Sequence, residues 1–146
     1  MKTVLFDIDG TLADIEHRRH LVEGDNPDWA KFFDLMGSDS VNLPVAELYL
    51  ALWSSTSFEC VLVSGRPEEY RPVTEQWLTW NEIPFNRLLM RRAKDNRKDA
   101  IVKEEILKQL LSEGADIAFT VDDRQSVVNM WRRNGITCFQ CAEYEG

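Results

Sequence analysis

Apolar residues open the chain as a short continuous run, Val4-Leu5-Phe6, which is closed by polar residues and followed by Gly10. A run of that length predicts a buried strand, and glycine permits a sharp turn beyond it. Further along, the apolar spacing switches repeatedly between helical and strand periods: helix 44–55, strand 58–63, helix 68–81, strand 87–90, helix 98–112, strand 117–121, helix 124–134 and strand 136–140. This alternation predicts an α/β fold with a parallel sheet and crossover helices. Residues 12–43 break the rhythm. They are polar and mixed, with Gly24-Asp25-Asn26-Pro27 as a turn and Trp29, Phe32, Phe33 and Met36 at helical spacing, so a small helical insert is expected whose aromatic side packs on the body. Trp53, Trp77 and Trp131 fall in expected helices and are assigned to core packing.

Acidic pairs stand at two of the expected strand ends. Asp7 and Asp9 flank Ile8 just after the first strand, and Asp122-Asp123 follows Ile117-Ala118-Phe119-Thr120-Val121. In parallel sheets, reacting groups gather beyond the carboxyl ends of strands. If the two strands are neighbours, four carboxylates converge, and their repulsion is relieved by raised pKa values or by a hard cation; oxygen-only donors suit Mg2+. The competing structural reading makes one Asp pair a helix cap.

Other strand ends carry phosphate-binding chemistry. Ser64-Gly65-Arg66-Pro67 offers a hydroxyl, a guanidinium fork and a helix start, or else a plain Ser cap with proline in the first turn. Asp99 and Lys103 lie at i, i+4 spacing, as a solvated surface pair or as a buried cation held beside a nucleophile. His17 and His20, without an obvious carboxylate partner, are expected at the surface or facing substrate.

Length and charge narrow the classes. A chain of 146 residues with 44% hydrophobic residues suffices for one core that buries about two-thirds of its unfolded surface. Its net charge of -8 argues against nonspecific clamping of nucleic acid by a global positive field, so any contact with an anionic polymer must be local. Arginines Arg18, Arg19, Arg66, Arg91, Arg92 and Arg124 near the expected strand ends supply such local charge. Cys60, Cys138 and Cys141 form no even disulfide set, and the Cys138-x-x-Cys141 spacing lacks a second Cys or His pair for zinc. No secretory segment is read before the first strand and no run is long enough to span a membrane, so a soluble cytoplasmic protein is expected.

Taken together, Asp7-Ile-Asp-Gly-Thr, Ser64-Gly-Arg, Lys103 and Asp122-Asp123 resemble the four motifs of the haloacid dehalogenase (HAD) phosphohydrolase superfamily. Further stretches, including Ser64-Gly-Arg-Pro-Glu-Glu-Tyr-Arg, Asp95-Asn-Arg-Lys-Asp99 and Val121-Asp-Asp-Arg-Gln-Ser-Val-Val-Asn-Met-Trp-Arg, are similar to the phosphatase domain of bacteriophage-type polynucleotide kinase/phosphatase. The resemblance implies a Rossmann-like three-layer core with a cap-like insert. It also implies a Mg2+-dependent phosphomonoesterase that removes 3'-phosphates from DNA or RNA ends through an aspartyl-phosphate. Asp7 is then the nucleophile and Asp9 the acid and base, a role that requires a raised pKa in at least one state. Lys103 and Ser64 assist, Arg18, Arg66, Thr11 and Asp99 face or support substrate, and Asp7, the Asp9 carbonyl, Asp122 and Asp123 hold the metal. No GxxxxGK[ST] phosphate loop occurs, so a phosphatase standing alone is expected, with a separate kinase or ligase as a candidate partner. The alternatives are a small-molecule phosphatase such as a nucleotidase and, less compatible with a full acid set, a noncatalytic subunit.

Overall fold

A computed structural model describes all residues, 1–146. Five parallel strands form one sheet in the order β5-β4-β1-β6-β7: β1 Lys2–Phe6, β4 Phe58–Pro67, β5 Arg87–Arg91, β6 Ile117–Arg124 and β7 Cys138–Tyr144. The alternation read from the sequence therefore yields the expected α/β architecture. Both faces of the sheet are covered. Helices α3 (Leu43–Ser54) and α4 (Arg71–Trp80) pack with the insert over Val4, Phe6, Cys60 and Leu62, burying Tyr49 and Trp77. On the opposite face α5 (Asp99–Ser112) and α6 (Gln125–Arg133) cover Leu5, Val61 and Val63 with Leu107, Leu110, Val127 and Trp131. Consecutive strand residues point to opposite faces, which is why Val4 and Leu5 belong to different apolar clusters. Two of the three helical tryptophans, Trp77 and Trp131, are fully enclosed, whereas Trp53 packs at the margin.

The insert is more than helical. A two-stranded antiparallel ribbon, β2 (Ala13–Asp14) with β3 (Ser40–Val41), closes it at the base and encloses α1 (Glu16–Arg19) and α2 (Trp29–Asp34). Two-residue strands leave too little alternation to be read from a sequence.

Strands β4 and β6 run past their expected ends at residues 63 and 121. Ser64-Gly65-Arg66-Pro67 continues β4, with a register shift against β5, before a 3-10 turn at Glu68–Tyr70. Ser64 is therefore not a helix cap: its Oγ accepts the Arg66 N–H at 3.1 Å. Asp122 likewise caps no helix, since α6 begins at Gln125 without a side-chain cap and Asp122 Oδ1 accepts the Asp123 and Arg124 N–H groups at 2.9 and 3.3 Å.

Candidate active site

The central position of β1 brings its C-terminal end between those of β4 and β6, and one cavity of about 1040 Å³ opens there. Asp7, Asp122 and Asp123 meet at its floor, each offering a carboxylate oxygen within 4.8 Å of the others, and all three are buried. Lys103 reaches across from α5 and donates to Asp7 Oδ1 at 2.8 Å and Asp122 Oδ2 at 3.0 Å. Asp99 lies 3.6 Å from the same ammonium and 3.5 Å from the Arg91 guanidinium. The i, i+4 pair is thus one end of a buried charge network, not a solvated surface bridge.

Burial, then the Asp122 and Asp123 charges, push the Asp7 carboxyl well above its ordinary range despite Lys103. Burial and Asp122 likewise raise Asp123 to about 6. Burial opposes the Lys103 charge, yet Asp122, Asp7 and Asp99 outweigh it and hold the ammonium protonated well above its usual range. Three carboxylates against one ammonium leave two negative charges uncompensated at the floor. A divalent cation fits this donor set in charge and in its oxygen-only chemistry. Gly10 makes the convergence possible: it sits at φ 82°, and a Cβ there would lie 2.0 Å from Asp123 Oδ2. Gly65 performs the same service for Asp99, whose Oδ1 would meet a Cβ at 2.1 Å.

Asp9 behaves differently from its neighbour. Arg66 Nη2 and Arg18 Nη2 donate to its Oδ1 at 2.6 and 2.7 Å, and Arg66 Nε lies 3.2 Å from both oxygens. Burial would raise its pKa, but the two guanidiniums win and hold the carboxyl well below the usual carboxylate range. The raised value anticipated for an acid is therefore not found in this state, and the Asp9 carboxylate lies outside the three-carboxylate cluster.

The residues expected to face or support substrate are engaged within the protein. Arg18 and Arg66 are fully buried and use every nitrogen internally: Arg18 on Asp9, Asp39 and the Phe32 carbonyl, Arg66 on Asp9, Asp39 and Thr74. Thr11, also buried, donates to Asp7 Oδ2 at 3.0 Å, and Ser64 is enclosed with its oxygen engaged. Arg18, Arg66 and Thr11 hold the acids in place, and the two arginines keep no free donor. His17, expected without a carboxylate, lies 2.7 Å from Asp39 Oδ1.

Two residues escaped sequence reasoning. Asp39 is a buried carboxylate that gathers His17, Arg18 and Arg66, and its main-chain carbonyl accepts the Trp77 Nε1–H at 2.8 Å. A polar residue just before the ribbon strand gave no pattern to read. Arg19 belonged only to a general set of arginines, but its Nη1 is buried without a hydrogen-bond partner, an uncommon condition for a charged donor. Its guanidinium stacks 3.9 Å from the Tyr144 ring centroid, and Nη2 is 3.9 Å from Asp123 Oδ2 at the cavity wall.

Known proteins were compared with this geometry. Residues 1–145 match the family described as the polynucleotide kinase PNKP phosphatase domain. A chain in the structure of the Pnkp1/Rnl/Hen1 RNA repair complex superimposes with a TM-score of 0.85 at 32% identity, covering 99% of this protein and 43% of that chain. A second structure of the Pnkp1/Rnl/Hen1 complex gives the same score and identity over 47% of the related chain, so the protein spans less than half the length of these relatives. More distant in sequence are a haloacid dehalogenase-like hydrolase from Streptococcus pneumoniae (TM-score 0.62, 14% identity, 96% and 84% of the two chains) and a HAD enzyme from Bacteroides thetaiotaomicron solved with magnesium and inorganic phosphate (0.55, 17%, 96% and 93%). Those two share the fold. Family match, relative and fold agree with the motif order on the strand ends: the chain belongs to the polynucleotide kinase PNKP phosphatase domain family and is a HAD-type phosphatase.

Proposed function

We propose that this domain, residues 1–146, hydrolyses 3'-phosphate ends of DNA or RNA through a phosphorylated Asp7, with Mg2+ held at the cavity floor. The observation that carries the reaction type is the placement of Asp7 at the base of an open cavity. Both its oxygens are oriented, by Lys103 and Thr11, and Asp9 stands two residues on. Asp7 attacks phosphorus, so that an Asp7 O–P bond forms as the ester P–O bond breaks, and the leaving 3'-oxygen takes a proton from Asp9, which must carry one for this step and regains it from water in the next. Water then attacks the acyl phosphate, with its proton passing to Asp9, and phosphate departs as Asp7 is regenerated. Asp9 is held in the deprotonated form that the second step uses.

Asp7 and Asp123 are the direct metal ligands in this reading. Asp122 already accepts from Lys103, Trp131 and two backbone amides, and it therefore positions the lysine. Bound there, Mg2+ supplies charge neutralisation for the phosphoryl group. Arg19, whose Nη2 stands 3.9 Å from Asp123 Oδ2 at the cavity wall, takes a phosphoryl oxygen in place of the occupied Arg18 and Arg66. The nucleic-acid substrate rests on the family match and on the relatives in an RNA repair complex. By the same analogy, a polynucleotide kinase or ligase activity is the class of function this phosphatase domain works beside. The free thiols of Cys60, Cys138 and Cys141 suit a reducing compartment such as the cytoplasm.

One observation favours a smaller substrate: several rim cations are already engaged, Arg97 by Asp95 and Glu105, Arg91 by the carbonyls of Gly65, Asp95 and Arg97. Phosphate release from a 3'-phosphorylated oligonucleotide, a 3'-mononucleotide and glycerol phosphate, each with Mg2+ and with EDTA, separates the two. The end-healing reading predicts the oligonucleotide as the best substrate by kcat/KM; equal or better turnover of the mononucleotide makes the enzyme a nucleotidase.

A further inference from the structure

The aromatic side of the insert was expected to serve packing, and half of it does. Phe32 is buried beneath Arg18, whose guanidinium lies 4.3 Å from its ring centroid, and Met36 is wholly enclosed. Trp29 is not: it remains 48% exposed, an uncommon condition for the largest apolar side chain. Its exposure is directed. Together with Phe33, Ile15 and Val22 it lines the same cavity whose floor carries Asp7, Asp9 and Asp123. The ring is also held in place, stacked on Phe33 at 5.9 Å and 28° and packed edge-on to Phe32 at 5.6 Å and 85°. Phe33 in turn packs on Tyr70 at 4.9 Å, which ties the insert to the segment following β4.

A fixed aromatic plane in the wall of a phosphate-processing cavity has one use that its chemistry favours. Bases stack on aromatic side chains whatever their sequence, at about 1–3 kcal/mol per base. We propose that Trp29, backed by Phe33, is the seat of the terminal nucleobase, so that the enzyme distinguishes base-bearing 3'-phosphate ends from abasic ones. The inference rests on the nucleic-acid reading above and deepens it. Ile15, Val22 and Phe33 beside it are apolar and offer no side-chain hydrogen bond, so the seat selects for the presence of a base and not for its identity. Lys98, exposed and without an ion pair, lines the same cavity and offers a positive charge to a preceding phosphate of a strand.

The test uses two 3'-phosphorylated oligonucleotides identical except that one ends in an abasic nucleotide, with glycerol phosphate alongside. Wild-type protein is expected to favour the base-bearing end by about ten-fold or more in kcat/KM, through KM. In Trp29→Ala that ratio falls toward one, and Trp29→Phe restores most of it. A wild-type ratio near one, or a ratio that survives Trp29→Ala, overturns the nucleobase seat while leaving the 3'-phosphatase reading intact. Hydrolysis of glycerol phosphate with neither oligonucleotide processed overturns both.

Discussion

Every nitrogen of Arg18 and Arg66 is engaged inside the protein, and this changes what each residue near the phosphate must do. The two arginines face two carboxylates, Asp9 and Asp39, and that group is balanced in charge; the floor group, three carboxylates with Lys103, is not. Removing Arg66 leaves Asp9 with Arg18 alone and opens a void at Thr74. Arg66→Ala is therefore expected to lower kcat by about a hundred-fold, whereas the exposed Lys108→Ala stays within two-fold; equal effects in steady-state assays would remove Arg66 from the machinery. Arg19→Ala should act elsewhere. It deletes the guanidinium whose Nη2 stands at the cavity wall, so inhibition by inorganic phosphate is expected to weaken about ten-fold or more with the fold retained, since a hydrogen bond to a charged group contributes about 1.5–3 kcal/mol. An unchanged inhibition constant would contradict that role. The meeting of Asp7 with the Asp122-Asp123 pair followed from type and spacing, whereas the i, i+4 spacing of Asp99 and Lys103 fitted a surface pair equally well and only the motif resemblance pointed inward. Asp39 and the placement of Arg19 were not legible, because a residue's partner is set by how the insert folds back on the sheet, and no local period encodes that.

At the scale of elements, the strand ends define the cavity, and they run further than apolar periodicity indicates. Ser64 to Pro67 and Asp122 to Arg124 keep the extended form although their residues are polar or proline, because their side chains have partners beyond the sheet: Arg66 on Asp9, Asp122 on Lys103. Hydrophobic pattern stops where the chemistry begins, which is why the sheet order's consequences were readable and the boundaries were not. The turn after β1 is the tightest constraint. With φ at 82° and an Asp123 oxygen 2.0 Å from where a Cβ would lie, Gly10→Ala must displace the carboxylate or the turn. A loss of about 1–3 kcal/mol in urea unfolding is expected, together with loss of the Mg2+-dependent rise in Tm. A variant that keeps that rise would show that Asp123 need not approach the turn.

For the molecule as a whole, the net charge is -8, and at the floor, where three of its carboxylates meet, metal and proton compete for the same oxygens. Burial and neighbouring charge raise Asp7, and raise Asp123 to about 6, so the metal-free folded state holds protons that the unfolded chain, at about 3.9 for aspartate, has already released. Their contribution to stability is present below the unfolded value and lost as pH rises through the folded one. Millimolar Mg2+ is thus expected to raise Tm more at about pH 7.5 than at about pH 5, read by thermal unfolding with and without EDTA; the same shift at both would place the cation elsewhere. No helix is long and apolar enough to cross a membrane. Fold class followed from the order of elements, and the meeting of the motifs follows from β1 standing between β4 and β6, which gathers the polar groups at their strand ends. The aromatic wall did not follow, because helical spacing alone marks Trp29 and Phe32 alike, although one is exposed and the other buried.

The most direct test compares phosphate release from one oligonucleotide bearing its phosphate at the 3' end with release from the same sequence phosphorylated at the 5' end. Wild type and Asp7→Asn are each assayed in Mg2+ and in EDTA. Release from the 3' end alone, only by wild type and only with Mg2+, with Asp7→Asn folded and slower by about three orders of magnitude or more, is the predicted result. Comparable release from both ends, or substantial turnover by Asp7→Asn, would contradict it.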